Sequence, residues 1–73
     1  MNPIEAAIVE VLAEVDQALR SSCPQKLDRC CFLLYHVLRN PEIESAKPYS
    51  KALLLEGLVS LQRHRRRVYE VLR

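Results

Sequence analysis

A single glycine, Gly57, stands in 73 residues, and four prolines are the only other strong chain breakers. Sandwiches and barrels of antiparallel strands need many more turn residues than this. A chain so poor in them has little length to give to loops. Its prolines also fall where helices begin. Asn2-Pro3-Ile4-Glu5 has a good capping residue, then proline at the first helical position, then an acid three residues after the cap.

Behind that start, Ile4, Ile8, Val11, Leu12, Val15 and Leu19 recur at helical spacing, with Glu5, Glu10, Glu14 and Gln17 on the other faces. The spacing predicts a helix over 3–20. Ser21 to Gln25 stops it and starts the next. Ser22 with Gln25 has the spacing of a second capping box, and Pro24 fits a first turn. The second helix is predicted over 24–39, with Leu27, Cys30, Cys31, Leu34, Val37 and Leu38 as its apolar face. It is nearly apolar all round, as a central, multiply packed helix would be.

Asn40-Pro41 ends it, because the residue before proline avoids the helical region. Residues 41–46 form at most one short helical turn. From Pro48 the chain reads helical to its last residue, with Leu54, Leu58, Leu61, Val68 and Leu72 on one stripe. Gly57 interrupts that stretch, either to let another helix approach or as a tolerated surface residue. Asn2-Pro3 and Asn40-Pro41 echo each other through shared capping chemistry rather than as a structural repeat. The fold class expected is all-α: one domain, residues 1–73, a small three-helix bundle with a fourth short turn at 41–46 and a long third helix.

At about 1.5 Å per residue the three helices measure roughly 27, 24 and 39 Å. The third should therefore overhang the others, from Arg63 to Arg73. No capping residue follows Leu72, which suggests the N-terminal domain of a longer protein. Arg65 lies in the apolar stripe between Leu61 and Val68, and an unpaired buried guanidinium is prohibitively costly. Either the core ends near Leu61, or Arg65 meets an acid such as Glu10 or Glu14 across an interface.

Three cysteines, Cys23, Cys30 and Cys31, make an odd number without a disulfide pattern. No apolar stretch is long enough for a membrane span, and no basic segment precedes the first apolar run. An intracellular setting, cytoplasmic or nuclear, is expected, away from membranes. His36 and His64 join the cysteines as possible soft ligands, but the spacings differ from those of zinc sites. No oxyanion loop is possible around a lone mid-helix glycine, and no carboxylates gather in a cleft. Neither catalysis nor a metal, cofactor or small-molecule substrate is expected.

Two features instead suggest a partner. Phe32 falls among Gln25, Asp28, Arg29, His36 and Arg39 on the polar side of its helix. Aromatics ringed by arginine and polar groups are typical of binding hot spots; alternatively, 41–46 folds back to cover it. The second feature is Gln62-Arg63-His64-Arg65-Arg66-Arg67, with Val68, Tyr69, Val71 and Leu72 continuing the stripe. Charge interleaved with apolar residues suits helix pairing. The expected function is a non-catalytic interaction or oligomerisation module, binding a protein partner or a second copy as a homodimer. Phe32, Arg65, Arg66, Val68, Tyr69 and Leu72 are its candidate contacts. The alternative is a small nucleic-acid-binding regulator using Arg63, Arg65, Arg66 and Arg67 on phosphates.

Overall fold

A computed structural model describes residues 2–72. The described residues form three α-helices and one short turn of 3₁₀-helix: α1 (Pro3–Ala18), α2 (Pro24–Arg39), the 3₁₀ turn (Pro41–Ser45) and α3 (Pro48–Leu72). No strand occurs among the described residues. A proline opens every element, at the position where a missing N–H removes no helical hydrogen bond.

Two of the caps share one design and that of α2 differs. Asn2 Oδ1 accepts from the Ile4 amide (3.0 Å), and Asn40 Oδ1 accepts from the Glu42 amide (2.9 Å). The same side-chain chemistry thus opens a helix of 16 residues and a turn of five, so the echo between them is one of capping alone. Glu5 does not complete a capping box with Asn2. Its carboxylate reaches across to α3, accepting from the Lys47 amide and from the Ser50 hydroxyl, each at 2.8 Å. It therefore serves the start of α3 from the first turn of α1. The expected Ser22–Gln25 box is also absent. Cys23 holds the N-cap position of α2 with no side-chain bond, and the Ser21 hydroxyl accepts from the Cys23 amide (3.1 Å).

These contacts fix the topology. Glu5 lies beside the start of α3, the middle of α1 lies beside Gly57, and the loop after α1 meets His64. Helices α1 and α3 therefore run in the same direction, with α2 antiparallel to both. The core draws Ile4, Ile8, Val11, Val15 and Ala18 from α1, and Leu27, Cys30, Leu34 and Val37 from α2. Leu54, Leu61 and Val68 enter from α3, and Ile43 and Ala46 from the connection. Among the described residues no polar or charged side chain is buried with them.

The third helix is the longest, 25 residues against 16 for each of the others. Its projection is shorter than expected. Val68 is buried at 8% exposure, so the core runs two turns past Leu61 rather than ending there. The His64 Nε2–H donates to the Ser21 carbonyl at 2.7 Å, holding the same stretch against the loop. Only the last turn stands clear, with Val71 83% exposed.

Gly57 is half-buried where α3 crosses α1. A β-carbon built there would lie 3.5 Å from Val15 Cγ1 and 3.8 Å from Leu12 Cδ2, ordinary van der Waals distances. Close approach therefore does not require glycine. Gly57→Ala is expected to stabilise the fold by up to about 1 kcal/mol, by removing unfolded-chain entropy and adding contacts. Thermal melting checks it, and an unchanged or lower Tm would count against it.

Candidate functional site

The groove between α2 and α3 holds two of the side chains singled out by sequence, Arg65 and Tyr69. Its polar centre is Asp28. The Arg65 Nε–H donates to Asp28 Oδ1 at 2.5 Å, and the Tyr69 hydroxyl donates to Oδ2 at 2.7 Å. The Arg65 guanidinium also lies over the Tyr69 ring, 4.8 Å from its centroid, within cation–π range. One carboxylate thus satisfies two groups one turn apart on α3. This answers how an arginine can sit in the apolar stripe. It does not lie beyond the core; it folds outward onto α2, with its side chain about half exposed.

The arrangement changes the titration of its members. The Arg65 hydrogen bond, and after it the Tyr69 hydroxyl, hold the Asp28 carboxyl below its usual range. The bond it donates to Asp28 raises the pKa of Arg65, and the same acceptor raises that of Tyr69. Glu5 is likewise lowered, chiefly by the Lys47 amide and then by the Ser50 hydroxyl. A carboxyl with a lowered pKa in the folded state adds stability above its unfolded pKa. That stability is lost as pH falls through the folded value. Tm should therefore fall on acidification below about pH 4, the ordinary carboxylate range. Asp28→Asn should weaken that dependence; an identical pH profile for the variant would refute the assignment.

Beside this clasp the Gln62 side-chain amide donates to the Tyr35 hydroxyl (2.9 Å), bridging the two helices. Cys31 lies in the groove between the clasp and the bridge. Burial raises its pKa, and burial pushes the Cys30 thiol up to about 11, with Cys31 and Glu14 adding to it. Neither is a thiolate near neutral pH, so both behave as small apolar side chains.

Outward from the bridge the surface turns apolar. Phe32 is 69% exposed; the 3₁₀ turn does not cover it, because Ile43 and Ala46 point into the core instead. Its ring lies nearly parallel to that of His36, at 10°, with centroids 6.4 Å apart. Tyr35, one helical turn on, is also exposed, as are Leu55 and Val59 on α3. Helical spacing and one hydrogen bond place these residues in a single series. Phe32 and Tyr35 are neighbours at three-residue spacing, Tyr35 bonds Gln62, Gln62 is three residues from Val59, and Val59 is four from Leu55. Around Val59 a shallow depression is lined by Gln62, Arg63, Arg66 and Arg67.

The candidates named from sequence therefore divide. Phe32, Arg66 and the nucleic-acid candidates Arg63 and Arg67 are exposed around this face. Leu72 is exposed too, but on the projecting last turn of α3. Arg65 and Tyr69 are occupied by Asp28. Val68 is a correction: it belongs to the core, since the stripe it continues from Leu61 keeps facing α1 and α2. Sequence reasoning missed Tyr35 as a surface residue and Asp28 as the partner of Arg65. The spacing from Phe32 to Tyr35 was a usable signal. The pairing of Asp28 with Arg65, 37 residues apart, depends on the antiparallel register and has no local signature.

Among the described residues no three His, Cys, Asp or Glu side chains converge as a metal-ligand set. No helix among them is long and apolar enough to cross a membrane. Comparison with known protein families, with curated proteins and with solved structures finds no match.

Proposed function

We propose that this chain is a non-catalytic interaction module whose docking surface is the face shared by α2 and α3. The observation that carries the reading is the exposed set Phe32, Tyr35, Val59 and Leu55, spanning two helices that the Tyr35–Gln62 bond joins. A small domain gains nothing in folding from leaving an aromatic ring in water, and contiguous apolar surface of this kind marks interfaces. The groups beneath it are fixed. The Tyr35–Gln62 bridge and the Asp28–Arg65–Tyr69 clasp hold the two helices in one register, so a partner would meet a surface already arranged.

The nucleic-acid alternative rests on Arg63, Arg66 and Arg67, which lie together on the outer side of α3, while Arg65 turns its Nε–H toward Asp28. Phosphate contacts need charge alone and give no role to Leu55 or Val59.

A photo-crosslinking residue at position 35 or 59, with position 13 on the outer side of α1 as control, distinguishes the readings in cells. Discrete protein adducts at 35 and 59, absent at 13, are expected. An adduct of twice the chain's mass would make the occupant a second copy. Nuclease-sensitive adducts would favour the alternative. A uniform low background at all three positions would sink the docking surface.

A further inference from the structure

Charge on the docking face specifies what sort of helix it takes. We infer that its occupant is an acidic amphipathic helix of a different protein; this rests on the α2–α3 docking reading. Arg63 and Arg66 line the depression around Val59, and neither forms an ion pair among the described residues. Arg39 continues the exposed side of α2 one helical turn beyond Tyr35 and is unpaired in the same sense. The acid nearest the centre, Asp28, has both oxygens occupied by Arg65 and Tyr69. Of the two acids of α3, Glu56 precedes the arginines, and Glu70 lines a separate depression with Arg66 without forming an ion pair with it. An apolar run edged by unanswered cations is complementary to an apolar stripe edged by carboxylates, and arginine forks suit carboxylate partners.

A second copy fits less well. Pairing the face with itself would bring Arg63 and Arg66 of both molecules to one interface, with no unpaired acid at its centre. The chain's own acidic helix, α1, exposes a single large apolar side chain, Val9, too little to cover four. Docking of α1 onto the α2–α3 face of another copy is moreover heterologous, and contacts of that kind leave open ends unless they close into a ring. The distance from Leu55 to Arg66 along α3 corresponds to about three helical turns. The occupant should thus carry anchors at i, i+3 or i+4, and i+7, with Asp or Glu flanking them.

Selection from a displayed library of randomised amphipathic helices on the intact 73-residue chain tests this. Counter-selection uses the Phe32→Ser/Val59→Ser variant, shown by circular dichroism to be folded. Both positions are exposed, so the substitutions spare the core. Enriched helices should depend on Phe32 and Val59 and should be rich in Asp and Glu. Arg63→Glu with Arg66→Glu should then weaken the selected peptide on the order of tenfold. Enrichment of neutral or basic helices that still depend on Phe32 and Val59 would overturn the acidic occupant and leave the docking face standing. No enrichment dependent on those two residues would overturn both. Displacement of the peptide by a short DNA or RNA duplex at submicromolar concentration, in about 0.15 M salt, would overturn the protein partner in favour of nucleic acid.

Discussion

Leu34→Ala is expected to destabilise the chain by about 2–5 kcal/mol. Leu34 is 0% exposed in the middle of α2, which, like each helix here, packs on both others. Truncating it leaves a void that close-packed neighbours only partly fill. Small domains have stabilities near the low end of about 5–15 kcal/mol, so the loss is a large fraction of the whole. For a chain of this size each kcal/mol moves Tm by roughly 4–8 °C. Calorimetry or melting followed by circular dichroism should show either a drop of roughly 10 °C or more, or no folded baseline at all. Phe32→Ala two residues away should cost below about 1 kcal/mol, because that ring is in water on the native side too. Similar losses for the two would mean that Phe32 is packed in solution.

Removing residues 63–73 should be at least as damaging. Were this segment a free overhang, the remaining chain would fold with unchanged stability. In the structure the deletion takes Val68 out of the core and leaves the Asp28 carboxylate without Arg65 and Tyr69. It also leaves the Ser21 carbonyl without its bond from His64. Loss of the Val68 burial alone is worth about 1.5–3 kcal/mol, before the newly exposed ends of α1 and α2 are counted. The shortened chain should be largely unfolded at room temperature, seen as collapsed ellipticity and rapid amide exchange. A cooperative melt near that of the full chain would contradict the packing described for the last three turns of α3.

The three helices and their starts were legible because each is signalled within a few residues. Pro24 and Asn40-Pro41 bound α2 as predicted, and the first helix ends at Ala18, two residues before the expected 20. What stayed hidden was long-range. The carboxylate of Glu5 looks like a local cap, yet it is used 42 residues away on the Lys47 amide. Arg65 reads as a break in an apolar stripe until Asp28 is known to lie opposite. A guanidinium on a flexible stem can leave a stripe position and reach a neighbouring helix, so period alone cannot say where a core stops. Phe32 was legible as an anomaly, but whether the 3₁₀ turn covered it depended on where Ile43 and Ala46 pointed, which is a packing outcome. The arginine run was visible at once; that one of its members is already occupied was not.

Because α3 outruns its neighbours and all three helices lie along one axis, the chain is a short rod. Its principal extents are 41 × 17 × 15 Å and its radius of gyration is 12.6 Å, against about 11 Å for a compact chain of this length. A rod drags more water and tumbles more slowly about its short axes than a sphere of equal mass. On a sizing column calibrated with round proteins a lone chain will therefore elute early, between the positions of one and two compact copies, since a compact chain of twice the length would have a radius of gyration of about 15 Å. Sedimentation equilibrium and light scattering respond to mass rather than to friction, and the gap between those values and the elution volume is itself a measure of the rod.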